Sequence, residues 1–166
     1  MQENVSLKNV SRILVVVLEG NLGLRISDIL SLRLSDIVRD GDRYRLEITE
    51  QKTKKKRVFT VSLVIQQYIE NYCLRNGIGK TERIFNLTER AISKQLALVC
   101  DYLGFEGIGT HSFRKWYATE IYKNNGYDIT LVQRLLQHSS ASITQRYIGI
   151  EPQRIEEAIE GHAQLL

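Results

Sequence analysis

No stretch of this chain comes near the roughly 18 consecutive apolar residues that a membrane-spanning helix needs. The densest apolar run, ILVVVL at 13–18, ends at Glu19. The opening MQENVSLKNV lacks the charged-then-apolar layout of a secretory leader, so the chain reads as soluble and intracellular. Proline occurs once, at Pro152, which excludes proline-rich linkers and polyproline segments. The two cysteines, Cys73 and Cys100, sit singly in apolar, helix-like surroundings, which excludes a disulfide framework and reads as reduced, buried thiols. With three histidines the chain offers no zinc-ligand spacing, and it has no glycine-rich phosphate loop, so neither a metal nor a nucleotide cofactor is expected.

What remains is a mildly basic, globular composition: 166 residues, 43% hydrophobic, with a formal net charge of +4. A chain of this length buries about 70% of the surface its unfolded form exposes, enough for a stable core. The excess charge is local. KTKKKR at 52–57 is almost wholly basic, whereas the segment 151–160 is acidic. A concentrated cationic patch on an otherwise balanced chain suits a polyanionic partner.

Periodicity divides the chain into elements without repeats, low-complexity tracts or linkers, and it reads as a single domain, 1–166. Val10, Ile13, Leu14 and Val17 recur at helical spacing and predict an opening helix that breaks at the glycines Gly20 and Gly23. A short helix follows over 26–32. YRLEIT at 44–49 and VFTV at 58–61 alternate as strands, with the basic run as the turn of their hairpin. Helices are predicted over 62–76, 89–103, 112–123, 129–137 and 142–148, the fourth capped by Asp128, and a last one from Pro152 to near Ala163. The fold class is therefore mainly α with a small antiparallel β-sheet.

Several residues carry chemical potential, each with an ordinary reading beside it. His111 and Arg114, three apart on a helix, share a face; they form either a clamp for an anion or a packed histidine beside a solvated arginine. Arg25, between Leu24 and Ile26, either pairs on the surface with Asp28 or is braced by Asp28 to grip phosphate oxygens. Most lysines of a charge run are solvated, but a cationic hairpin tip also reaches into nucleic-acid grooves. A lone tyrosine late in a helix, here Tyr147, is ordinarily core, and His138 before it is an ordinary helix-terminal residue.

Taken in order, these signals resemble the tyrosine recombinases, the lambda-integrase-like family. The wording GLRISDILSLRLSDI, QKTKKKRVFTVS, THSFRKWYATEI and LVQRLLQHSSASITQRYIGI carries the resemblance, which runs from about Leu14 to Ile150. It implies site-specific DNA recombination through a 3′-phosphotyrosyl link to Tyr147. Arg25 and Arg114 would bind the scissile phosphate, with His111 and His138 completing the pocket. Lys52 would protonate the departing 5′-oxygen, Asp28 would support, and Lys54, Lys55, Lys56 and Arg57 would meet the DNA backbone, Arg57 closing the motif. One departure is Gln137, where the family has glycine before the second histidine.

The resemblance further implies double-stranded DNA as partner, a homo-oligomer (a tetramer) on that DNA, no cofactor, and a cytoplasmic, nucleoid-associated setting in a bacterium or phage. It casts the chain as the catalytic part of a longer integrase without its core-binding domain. The apolar stripe Ile155, Ala158, Ile159, Ala163, Leu165 and Leu166 would pack on its own domain or dock on a neighbouring protomer. Other readings are a type IB topoisomerase-like or telomere-resolving enzyme, a catalytically silent DNA-binding module, and a helical interaction protein.

Overall fold

The computed structural model describes residues 2–149 and 159–161, and side chains from residue 9 onward. Seven helices and three strands occur among them in chain order. They are α1 (Gln2–Leu22), α2 (Ile26–Ser31), a short 3-10 turn (Leu34–Asp36), β1 (Ile37–Asp40), β2 (Arg43–Thr49), β3 (Lys56–Val61), α3 (Leu63–Arg75), α4 (Glu89–Leu103), α5 (Thr110–Asn124), α6 (Ile129–Leu136) and α7 (Ala141–Ile148). No helix among the described residues is long and apolar enough to cross a membrane. The mainly helical class with a small antiparallel sheet is what the structure has. The helix predicted over 152–163 lies outside the described residues except for 159–161, which are helical.

The chain divides into two compact units, Met1–Arg114 and Lys115–Leu166, the division falling inside α5. In the first unit, Leu14, Val15, Leu18, Leu24, Ile26, Ile29, Leu46, Ile69, Phe85 and Ile92 form a buried core drawn from four helices and the sheet. A smaller core of Ala118, Tyr122, Val132, Leu136 and Ile148 holds the second unit together. Both cysteines are free and buried.

Local chemistry explains most boundaries. The Ser62 and Thr88 hydroxyls cap α3 and α4 by accepting from Ile65 and Ala91 N–H groups. Asp128 caps α6, its Oδ1 accepting from Thr130 N at 2.8 Å and Leu131 N at 3.0 Å. Two departures from the sequence reading have clear causes. α1 does not break at Gly20; it runs on to Leu22, because Gly20 is buried within it and packing outweighs the roughly 1 kcal/mol helical penalty of glycine. The break comes at Gly23, whose φ of 57° is left-handed. The strand β1 was not anticipated, since four residues (IVRD) are too few to show a period.

The sheet is antiparallel in the order β1-β2-β3. Its register pairs Leu46 with Phe59, Ile48 with Arg57 and Thr49 with Lys56. Because side chains alternate between faces, Leu46, Ile48 and Glu50 share the inner side with Arg57, while Glu47, Thr49, Lys56 and Val58 share the exposed one. This parity splits the basic run: Arg57 goes inward and is 4% exposed, and Lys56 goes outward.

Candidate active site

Arg25 is the residue on which α2 starts, with extended backbone (φ −72°, ψ 150°), so its side chain leaves the helix at its N-terminal end. Its Nη1 donates to Glu50 Oε2 at 2.6 Å. Glu50 follows β2 directly, keeps that strand's inward parity, and is fully buried. The same oxygen accepts from Thr53 Oγ1 at 2.6 Å, and Glu50 Oε1 faces Arg57 Nη1 at 3.5 Å. Burial pushes the Glu50 carboxyl up, but the hydrogen bonds from Thr53 and Arg25 and the charges of Arg25 and Arg57 outweigh it and hold the group below its ordinary value. Glu50 is therefore ionised at neutral pH. Two guanidiniums against one carboxylate leave a positive balance, and the Arg25 side chain keeps 18% of its surface open.

Asp28 does something else. It is buried, and its Oδ1 accepts from the Gln51 N–H at 2.7 Å. The expectation that Asp28 braces Arg25 is corrected: Glu50 does so, and Asp28 fastens α2 to the hairpin turn. That turn is closed by Lys54 N donating to Glu50 O at 2.9 Å and Glu50 N donating to Lys55 O at 3.0 Å. Lys52, Lys54 and Lys55 are exposed on it, as is Lys56 at the start of β3. Arg57, expected among the backbone-contacting cations, is not on that surface. Its Nη1 donates to Gly23 O at 3.3 Å and its guanidinium lies over Phe59, 4.8 Å from the ring centroid. Strand parity, invisible within a run of like charges, removes it from the patch.

Arg114 and His111 lie on α5, Arg114 2% exposed and His111 exposed. Near Arg114, from α1, lies Glu19, which is fully buried. Neither Glu19 carboxylate oxygen has a hydrogen bond among the described residues. Burial, opposed by the Arg114 charge and reinforced by that of Glu89, pushes its pKa up to about 8. Thus each of the two arginines singled out in the sequence has a buried glutamate nearby, one ionised and one mostly neutral at pH 7. Glu19 had one sequence signal: an acid directly after six apolar residues.

In the second unit α6 ends at Leu136 and Gln137 adopts a left-handed conformation (φ 55°, ψ 37°). The sequence reading carries the helix through position 137; in the structure that residue is the cap that turns the chain out of it, a place where glycine carries no strain. Past that cap, His138 Nδ1 lies 3.1 Å from Thr144 Oγ1, and Thr144 is fully buried. The imidazole meets the ring of Tyr147 edge-on, centroids 5.2 Å apart and planes at 80°. Tyr147 is half-buried near the end of α7, packed at the margin of the small core rather than within it.

The family model for the phage integrase family matches residues 2–154. This chain belongs to that family. Among its relatives is the probable integrase/recombinase YoeC of Bacillus subtilis strain 168, 38% identical over 139 residues, covering 79% of this chain and 73% of the relative. Tyrosine recombinase XerA of Pyrococcus furiosus is 29% identical over 157 residues, covering 90% of this chain and 53% of its own length. The chain spans about half the length of most of the relatives it matches, down to 43% for tyrosine recombinase XerC of Caldanaerobacter subterraneus.

Solved structures share the fold. The XerH site-specific recombinase bound to its difH substrate, in a post-cleavage complex, aligns with a TM-score of 0.71 at 24% identity, covering 89% of this chain and 44% of that one. The catalytic domain of bacteriophage HP1 integrase aligns with a TM-score of 0.60, covering 91% of this chain and 84% of that one. The tyrosine recombinase catalytic fold expected from the sequence is the fold observed.

Proposed function

We propose that this chain is the catalytic portion of a site-specific tyrosine recombinase that breaks and rejoins double-stranded DNA through Tyr147. Tyr147 Oη attacks the scissile phosphorus, a phosphotyrosyl bond forms as the bond to the 5′-oxygen breaks, and the phenolic proton passes to solvent. The departing 5′-oxygen takes a proton from Lys52 and leaves as a hydroxyl. The reverse steps rejoin the strand, with the bond energy kept in the phosphotyrosyl ester and neither metal nor nucleotide cofactor called for.

The residue types suit this chemistry. A phosphodiester repels nucleophiles, so Arg25 and Arg114 neutralise its oxygens and stabilise the charge that grows in the transition state. A phenol with an ordinary pKa of about 10 needs a nearby base or a cationic field to attack at neutral pH, and His111 and His138 complete the phosphate pocket. An alkoxide is a poor leaving group, hence a lysine acid. Lys54, Lys55 and Lys56 serve as sequence-independent contacts to flanking phosphates.

The observation that carries the reading is the placement of Tyr147: half-buried and edge-on to a histidine whose Nδ1 meets the Thr144 hydroxyl. A tyrosine kept only for packing has no need of an oriented imidazole. Relatives named as recombinases and integrases favour recombination over the topoisomerase and silent-binder alternatives. Assembly as a tetramer on DNA follows from the same reading.

The test is a nicked suicide substrate that loses a short fragment on cleavage and so cannot be rejoined. Incubation should give a protein–DNA conjugate stable to denaturing electrophoresis. A chain that binds the DNA and forms no conjugate contradicts the proposal.

A further inference from the structure

We infer that Glu50 is a positioning residue that sets the phosphate-binding arginine and the leaving-group acid together, with Thr53 as its link to the hairpin. The inference rests on the strand-cleavage reading above and adds to it a coupling between Arg25 and Lys52. In the sequence these two residues belong to separate elements, and nothing in their spacing joins them.

The geometry is specific. A single oxygen, Glu50 Oε2, is shared by Arg25 Nη1 and Thr53 Oγ1, both at 2.6 Å. Thr53 is the immediate neighbour of Lys52 in the turn. The backbone of Glu50 closes that turn on both sides, through Lys54 N–H and Lys55 C=O. Its second oxygen faces Arg57, which itself holds the Gly23 carbonyl just ahead of Arg25. Glu50 thus touches the start of α2, the base of the hairpin and the turn that carries the lysine, from a position with no solvent access.

Charge-assisted bonds of this length are strong and directional. Removed from water, one carboxylate serving two arginines and a hydroxyl holds each of them in a narrow range of orientations. Arg25 then meets the phosphate with its guanidinium plane already set, and reorganisation on substrate arrival is small. Thr53 transmits the same fixed point to the turn, so that Lys52 stands at a set distance from the oxygen it protonates. Asp28 Oδ1, accepting from Gln51 N–H, also ties the turn to α2, but the lysines themselves are exposed, and the Thr53 bond adds a fixed point directly beside Lys52.

Separating these two arms is the test. Thr53→Val removes the hydroxyl link and leaves the Arg25–Glu50 pair. Glu50→Gln keeps shape and removes the charge that orients Arg25. Single-turnover cleavage is measured with the nicked suicide DNA and with the same DNA carrying sulfur in place of the bridging 5′-oxygen, a leaving group that needs no proton. Thr53→Val should slow the oxygen substrate about 10- to 100-fold, as small misplacements of catalytic groups do. It should run near the wild-type rate on the sulfur substrate, with unchanged DNA affinity.

Glu50→Gln should be slow on both substrates, because phosphate stabilisation is impaired as well as proton donation. Melting curves for each variant separate misplacement from unfolding, and rescue of Thr53→Val by sulfur is itself proof of a folded, phosphate-competent enzyme. Equal loss on both substrates for Thr53→Val, or no loss on either, overturns the link. Full rescue of Glu50→Gln by sulfur overturns the arginine arm. Two controls expose a failure of the underlying reading instead: wild type that gives no covalent product, or a Lys52→Ala variant that sulfur fails to rescue. Either removes the premise and the positioning role with it.

Discussion

The imidazole of His138 stands edge-on to the phenol of Tyr147 at a centroid separation of 5.2 Å, both rings carried by the short segment that joins α6 to α7 and by α7 itself. Phenylalanine presents the same ring to that edge-on contact. Tyr147→Phe should therefore keep the packing, with stability changed by less than about 1 kcal/mol. Covalent DNA product should fall below detection while DNA affinity holds. Thermal melts, filter binding and denaturing gels on one preparation check all three, and a large drop in melting temperature would mark Tyr147 as structural.

Glu19 makes a prediction about pH. Its pKa is near 8 in the folded chain, against an ordinary value of 4.5. Between those values the folded state holds a proton that the unfolded state has released, so stability declines as pH rises. The stabilisation is complete below about pH 4.5 and lost by about pH 8, at a slope near 1.4 kcal/mol per pH unit. Glu19→Gln removes that slope, so the variant should match wild type near pH 5 and exceed it near pH 8. Urea midpoints across pH 5–8.5 test this; parallel curves would show that Glu19 does not titrate in that range.

The basic run should behave as two kinds of residue. Arg57→Ala empties a buried position and withdraws one of the cations that face Glu50, and should cost about 2–4 kcal/mol of stability. Its effect on the salt dependence of DNA binding should be small. Lys54→Ala, Lys55→Ala and Lys56→Ala should leave stability nearly unchanged, and each should reduce the slope of log affinity against log salt by about 1. A slope change for Arg57→Ala equal to that of the lysines would place Arg57 back on the DNA-facing surface.

Gln137 offers a stabilising change. With φ at 55° it occupies backbone space that costs a side-chain-bearing residue about 1 kcal/mol. Gln137→Gly should raise the melting temperature by about 2–4 °C. A fall would mean that Gln137 side-chain contacts outweigh the backbone strain.

How much of this was readable beforehand follows from the range of each interaction. Helices with a hydroxyl or carboxylate cap and a clear period, such as α4 and α6, are local phenomena, and their starts and lengths come close to expectation. The candidates Arg25, Lys52, His111, Arg114, His138 and Tyr147 were legible because their order and neighbours match a family, not because any of them stands out alone. The groups that hold them were not legible. Glu50 reads as an ordinary polar residue before a charge run, and its burial depends on strand parity carried past the end of β2. Glu19 acts through α5, and Thr144 through the loop around His138; both are contacts between elements that spacing does not encode. Asp28 lies nearest Arg25 in sequence, but in space its Oδ1 accepts from Gln51 N–H.

Mapping the covalent link tests the central claim most directly. The conjugate trapped on a suicide substrate is digested with nuclease and protease and analysed by mass spectrometry. The account predicts one modified peptide, spanning the TQRYIGI segment, with the nucleotide remnant on Tyr147 through a 3′-phosphate. A remnant on any other residue, or linkage through a 5′-phosphate, would contradict it.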